Sequence, residues 1–299
     1  MSGGRLVINL HPGGEIVPTY EQTKAVRDGV LDMSYADLGG DAAFLGNSCY
    51  IIGASGYPAG STADEDWAYF YVSPNGKAMV QEVYKDYGQT VGCIPEGMEV
   101  FCYSHKPLAK AADFRGIKFR TIGLWAQVLQ SFGASVVTIA GAEVYPSAEK
   151  GIIDAFEYGG PNLNWPMGFH EIMEYMGLPG IHSPSAAHPV TANFNSFNKL
   201  PDDLKQILLK GIEISGKEWS QSLLVLDQLA IQKYLDYGTK IFYVSDDFQA
   251  EIAKRSMDIT LKMAAEDPLF KKIWDDKSAY VKILRQGKRN TTLGYSIYD

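Results

Sequence analysis

Between Phe114 and Pro161 the spacing of apolar residues switches repeatedly between a period of two and one of about 3.6. Residues 117–121 alternate as a short strand that ends on Arg120. Residues 124–132 have helical spacing through Leu124, Val128, Leu129 and Phe132, and Gly133 is a helix stop. Residues 134–139 have the pattern of a buried strand. Residues 143–150 form a short helix closed by Gly151, and 152–158 form the next strand. Strands alternating with helices imply βαβ units and a parallel sheet. Ligands bind outside the carboxyl ends of such strands. Arg120 and the pair Glu157–Tyr158 fall at such ends, which predicts one cation and one anion at the mouth of one sheet.

Strand patterns also cover 5–10, 31–36, 90–94, 99–103, 190–195 and 240–244. Residues 19–28 form a helix that Gly29 ends. Between the second and third of these strands lies a Gly- and Ser-rich loop, then a cluster of aromatic residues (Trp67, Tyr69, Phe70, Tyr71, Tyr84, Tyr87) with the character of helix packing. Residues 162–175 are helical and LPGIHSPSAAHP is a loop. From Leu200 a helical pattern runs beyond thirty residues to Gly238, interrupted by Gly211 and Gly216. That is long for a globular helix, and a coiled coil is the periodic alternative. Residues 246–266 and 268–284 are helices, and the polar end GKRNTTLGYSIYD reads as a tail.

Composition narrows the class. A chain of 299 residues accommodates two domains and a large core. A net charge of −8 argues against a nucleic-acid partner, which requires clustered Lys and Arg. No run of eighteen apolar residues is present, so no membrane-spanning helix is predicted. The three cysteines, Cys49, Cys93 and Cys102, are too few for a disulfide framework and lack metal-site spacing. They are expected to behave as small buried apolar side chains.

Several side chains carry possible chemistry. Arg120 is either a surface ion pair or a fork that grips a carboxylate through two hydrogen bonds. Glu157, flanked by apolar and aromatic residues, is expected to be partly buried and so needs a partner. Arg120 and a metal ion are the two candidates. Carboxylate and carbonyl oxygens suit Ca²⁺, Mg²⁺ or Na⁺ rather than zinc. Cys102 and His105 are near in sequence but lack any oxyanion site, so they do not make a catalytic dyad. His182 and His188 read as hydrogen-bonded structural histidines.

The ordered set FRGIKFRT, FGASVVTIAGAEVYPSAEKGIIDAFEYGGP, including Arg120, Gly133, Glu143, Tyr145, Gly151 and Asp154, resembles the core signature of the solute-binding proteins of TRAP transporters (tripartite ATP-independent periplasmic transporters). FEYGGPNLN followed by GFHEIMEYMGLPGIH is similar to the 2-oxo acid and lactate-binding branch of that family. The likeness extends from Ser2 to about Leu284.

The resemblance implies an α/β fold of the two-lobed periplasmic-binding-protein type, with a cleft between lobes and a long helix spanning both. It places residues 1–97 and about 185–226 in a first lobe, 98–184 and about 227–284 in a second, and 285–299 in a tail. It implies that Arg120 pairs with the carboxylate of a small organic acid, a 2-oxo or 2-hydroxy monocarboxylate. It implies a metal ion, Ca²⁺ or Na⁺, held by Glu157, Tyr158 and Glu99 and bridging to the ligand. Tyr158 stands where the branch has tryptophan, and Glu99 where it has glutamine. A second carboxylate favours a divalent ion; the bland alternative for Glu99 is an exposed strand-edge residue. Tyr103 and Trp125 are expected as ligand walls by position, and Phe44, with Asn47 and Tyr50, as contacts from the first lobe.

Further implications are delivery to TRAP membrane permease subunits, a periplasmic or extracytoplasmic location, and a homodimer through C-terminal helices. The opening MSGGRLVINLHPGGEIVP resembles the family's second strand and its loop. No signal peptide is visible at Met1, and a first strand and helix are expected to be missing, which would leave sheet edges unpaired. Two competing readings are a sensor module on the same fold and a metal-dependent enzyme acting on a 2-oxo acid. The enzyme would need a general base, and the metal segment offers neither histidine nor lysine for it. Arg120→Ala is expected to abolish binding while leaving the melting temperature of the empty protein nearly unchanged.

Overall fold

The computed structural model describes residues 1–37, 41–53 and 55–292. Two sheets organise them. The first has three antiparallel strands in the order β1 (Met33–Tyr35), β8 (Ala186–Ala192), β2 (Gln89–Glu96). The second has six, in the order β5 (Ser135–Val137), β4 (Lys118–Arg120), β6 (Ala155–Phe156), β3 (Cys102–Ser104), β7 (Tyr175–Leu178), β9 (Lys240–Tyr243). β5, β4 and β6 run parallel, as the alternating pattern predicts. β3 runs antiparallel to both its neighbours, so the sheet is mixed rather than parallel throughout. β3 arrives from β2 of the other sheet, not from a preceding helix of its own, and so enters in the opposite sense.

Each sheet anchors its own core. Cys49, Ile52, Phe70, Val83 and Tyr84 pack on one side of the first lobe, and Val91, Val190 and Leu208 on the other. The second lobe is centred on Phe101, Phe114, Phe119, Trp125 and Phe248, with a further layer of Tyr103, Phe156, Phe169 and Tyr234. β8 is buried at every position, as a central strand must be.

The long helix Asp202–Tyr237 ends on Gly238 in the left-handed conformation, at the predicted stop. Its first half buries Leu208 and Ile212 against the first lobe, and its last turns bury Tyr234 in the second. The helix therefore spans both lobes. Gly216, which interrupts the apolar spacing, lies against β2. A Cβ there would sit 3.3 Å from the Cys93 carbonyl oxygen, so the interruption is a close approach between helix and sheet.

The helix over 246–266, predicted at these bounds but expected with 227–284 in the second lobe, also spans both lobes. Asp246–Glu266 places Phe248 and Ile252 in the second lobe's core but Met263 and Ala264 in the first's. The last helix, Pro268–Thr291, then packs on the first lobe through Phe270 and Ile273. Two buried acids of the helix Ala63–Tyr71 tie it down: Asp66 to Lys277 at 2.6 Å and Glu65 to Arg285 at 2.9 Å. Residues 285–291, expected in the tail, thus continue this helix, while 293–299 lie outside the described residues.

Three other expectations are corrected. Residues 5–10 form no strand: Val7, Ile8 and Leu10 are exposed, and a groove of about 900 Å³ separates this segment's surroundings from the edge strand β1. β5 is an edge strand with Ser135 and Val137 exposed, so its apolar run does not mark a buried strand. The helical pattern over 162–175 breaks at Gly168, whose φ of 72° no ordinary helical residue adopts, and β7 begins at Tyr175. Among the described residues no helix is long and apolar enough to cross a membrane.

Candidate functional site

β4 carries Arg120 at its end, and register pairs Arg120 with Phe156 of β6, so the next residue, Glu157, arrives beside the guanidinium. Arg120 Nη1 donates to the Glu157 carbonyl oxygen at 2.9 Å and to Glu157 Oε1 at 3.2 Å. Its Nε and Nη2 donate to the Ile139 carbonyl at 3.3 and 3.2 Å. Arg120 is 4% exposed and Glu157 1%, so the surface ion-pair reading of the arginine does not hold. The Tyr158 ring stands 5.9 Å from the guanidinium carbon.

Glu99 joins this pair from the chain that crosses out of β2. It is 4% exposed, which removes the strand-edge alternative. His182 Nε2 lies 3.2 Å from Glu99 Oε2, and Ser183 Oγ donates to Glu99 Oε1 at 2.8 Å. One potential ligand atom from each of Glu99, Glu157 and His182 falls within 4.8 Å of the others, and all three residues are buried. His182, predicted to be a hydrogen-bonded structural histidine, is hydrogen-bonded to this cluster. No sequence signal marks His182 and Ser183 as site residues, because they lie 83 and 84 residues from Glu99 and only folding brings them beside it. Tyr20, from the first lobe, lies near enough to Arg120 that the guanidinium charge offsets part of the rise that burial gives its phenol. No motif marks it.

Three predicted ligand-wall residues are not in the cluster. Tyr103 is fully buried, stacked 5.4 Å from Phe156, with its hydroxyl donating to Tyr234 at 2.8 Å. Trp125 is fully buried behind the site, 5.8 Å from the His182 ring. Phe44 packs on Tyr87 in the first lobe, under Lys24. Each is held by the aromatic packing its size demands. Cys102 is buried, which pushes its thiol up, whereas His105 is exposed, so they form no dyad.

Burial sets the electrostatics. It pushes Glu99 up to about 8 and Glu157 up to about 7, and the Arg120 charge offsets only part of the latter. Burial also lowers His182 to about 4, so its ring is neutral. A neutral ring that donates Nε2–H to Glu99 orients that carboxylate. His182 Nδ1 then has no partner among the described residues.

These shifts predict a pH dependence for the protein without added cation. The unfolded glutamates release their protons near 4.5, while the folded ones hold them to about 7 and 8. The folded state therefore binds more protons across that interval, and stability falls as pH rises. His182 works in the opposite sense only between about 4 and 6.5. Chemical denaturation in EDTA should show stability dropping by on the order of a few kcal/mol from pH 6.5 to 8. A flat profile would refute the burial of two acids at one site.

The sequence profile described as bacterial extracellular solute-binding protein, family 7, matches residues 1–267. The chain belongs to that family, the solute-binding proteins of TRAP transporters. It is 26% identical over 296 residues to a monocarboxylate 2-oxoacid-binding periplasmic protein of Nostoc sp., covering 99% of this chain and 80% of that one. Among solved structures, a TRAP solute-binding protein of Bordetella bronchiseptica superposes with a TM-score of 0.88 at 22% identity, covering 96% and 85% of the two chains. That protein is a mixed-occupancy dimer, with copurified calcium and picolinate in one site and the other site apo. One from Pseudoalteromonas atlantica, with bound sodium and pyruvate, superposes with a TM-score of 0.80 at 24% identity, covering 91% and 82%. The common fold is the two-lobed one.

Proposed function

We propose that this protein captures a small 2-oxo or 2-hydroxy monocarboxylate between its lobes and delivers it to the membrane subunits of a TRAP transporter. Arg120 binds the acid's carboxylate. Glu99, Glu157 and the Tyr158 carbonyl hold a cation that bridges to the same ligand, and His182 orients Glu99. The observation that carries this reading is the buried group of Glu157, Glu99 and Arg120. Glu157 pairs with the one guanidinium, Glu99 lies within 4.8 Å of Glu157, and an incoming carboxylate would add a third negative charge. A divalent cation and Arg120 together balance all three, whereas Na⁺ leaves one unbalanced. The donor set, carboxylates with one neutral imidazole close behind, suits Ca²⁺. The 2-oxoacid-binding name of the Nostoc relative and the metals and acids bound in the Bordetella and Pseudoalteromonas proteins support the same ligand class.

Lobe closure over the ligand shifts an existing equilibrium and places Arg120 in low dielectric, where its grip strengthens. A periplasmic location and a homodimer through the last helices belong to the same reading. The dimeric state of the Bordetella protein supports dimerisation as such.

A thermal-shift series with pyruvate or lactate tests the reading. With Ca²⁺ present, an acid at about a hundred times its Kd adds about 2.7 kcal/mol, a shift of several degrees. EDTA should abolish the shift and Na⁺ should not restore it in full. A shift unchanged by EDTA would remove the divalent bridge, and no shift with any acid would remove the ligand class.

A further inference from the structure

One buried hydroxyl joins this site to the seam between the lobes. Residues 55–60 follow the first-lobe helix Ser48–Gly53 and lie directly on second-lobe backbone. The Gly56 carbonyl accepts from Trp125 N at 2.8 Å, and Ala59 N donates to the Ile181 carbonyl at 2.8 Å. Pro58 accepts from Ser256 Oγ at 2.7 Å, and the Tyr57 hydroxyl meets Thr260 Oγ1 at 2.7 Å, both on the second spanning helix. Two glycines allow this contact. Gly56 has φ +70° and Gly123 φ +71°. A Cβ on Gly56 would stand 2.6 Å from the Ile122 carbonyl oxygen, and one on Gly123 2.4 Å from that of Ser55. Ile122 lies two residues beyond Arg120.

Ser183 closes the connection. Its Oγ donates to Glu99 Oε1 at 2.8 Å and accepts from Gly56 N at 3.2 Å. The Glu99 amide donates to the Ser183 carbonyl at 3.1 Å. The serine is fully buried, so no solvent competes for these bonds. A hydroxyl has one proton. With that proton on Glu99, its lone pairs face the Gly56 amide. The Ser185 carbonyl, 3.4 Å away, is the weaker acceptor.

We propose that Ser183 is a positioning residue that ties Glu99 to residues 55–60, so that filling the site tightens the seam between the lobes. This rests on the reading of Glu99 as a cation ligand. A Glu99 carboxylate fixed by a cation holds the Ser183 hydroxyl in one rotamer. That rotamer holds the Gly56 amide, and Gly56 packs on the backbone next to Arg120. Ligand binding at Arg120 and cation binding at Glu99 thus meet at one contact between the lobes.

Residue-level hydrogen exchange on the full chain tests this, with EDTA and then with Ca²⁺ and pyruvate. In the wild type, Ca²⁺ and pyruvate should slow exchange at the Gly56 amide about tenfold or more. In Ser183→Ala the same additions should leave it within about twofold, and the pyruvate Kd should rise about tenfold, as for the loss of one hydrogen bond to a charged group. Ser183→Thr, which keeps the hydroxyl, should recover both effects. Wild-type slowing of Gly56 in Ser183→Ala overturns the proposal. Should that variant not fold, Glu99→Gln takes its place: Gly56 protection by pyruvate equal to the wild type's overturns it there as well. Calorimetric titration of the wild type separates the two readings. If wild-type protein binds pyruvate with Ca²⁺ and Ser183→Ala responds fully, only the Ser183 coupling falls. If the wild type binds neither, the site reading falls and the coupling with it.

Discussion

Arg120→Ala is expected to weaken binding of a carboxylate ligand by about a hundred- to a thousand-fold. Truncating one partner of a buried hydrogen-bonded charge pair costs roughly 2–5 kcal/mol, and each 1.4 kcal/mol is tenfold in Kd. The same substitution should destabilise the ligand-free protein, contrary to the expectation formed on the sequence. Arg120 satisfies the carbonyls of Ile139 and Glu157 as well as the Glu157 carboxylate. Losing it leaves buried acceptors unpaired, at about 1–3 kcal/mol for such a group. Glu157 limits the loss by taking up a proton, since burial already pushes it to about 7. Calorimetric titration and urea denaturation on one preparation check both halves. Binding within tenfold of the wild type would sink the assignment of Arg120. An unchanged unfolding midpoint would sink its structural role.

Glu157→Gln should move stability and binding in opposite directions. The carboxylate is buried and only partly offset by Arg120, so it costs free energy in the absence of a cation. Glutamine keeps the shape and one acceptor for Arg120 Nη1 while removing the charge. The variant should therefore melt at or above the wild type in EDTA at pH 8. Its Ca²⁺ affinity should fall by on the order of a hundred-fold, from loss of a charged oxygen ligand. The opposed signs separate a binding role from a structural one, because a residue that only supports the fold would lose both together. Melting curves in EDTA and Ca²⁺ titrations decide it. A variant that is less stable in EDTA and binds Ca²⁺ as well as the wild type would refute the cation role of Glu157. The trade of stability for a charged site is common where function requires buried charge.

Local pattern carried much of this far. The period shifts around Arg120 located β4, the helix Trp125–Ser131 and β6 to within a few residues. Strand-end logic put Arg120 and Glu157 at one mouth, and they lie 3.2 Å apart. Pattern failed where the deciding contact is remote. Residues 5–10 alternate like a strand, yet a strand needs a partner, and none pairs with them among the described residues. Residues 134–139 are apolar enough for a buried strand, but sheet order puts β5 at an edge. Tyr103 and Trp125 neighbour the site in sequence, but their aromatic surface is consumed by packing.

Neighbouring residues alone specify the alternating α/β pattern, a long helix with its stop at Gly238, and a cation and an acid at one sheet mouth. These follow from periodicity, glycine stops and strand ends, which are properties of neighbouring residues. The burial of Glu99, its hold by His182 and Ser183, and the crossing of the second long helix between lobes arise from tertiary contacts alone. Distance along the chain is the cause. Glu99 and Ser183 are far apart in sequence, and burial, hydrogen bonding and the resulting proton affinity exist only once folding has brought them within 2.8 Å.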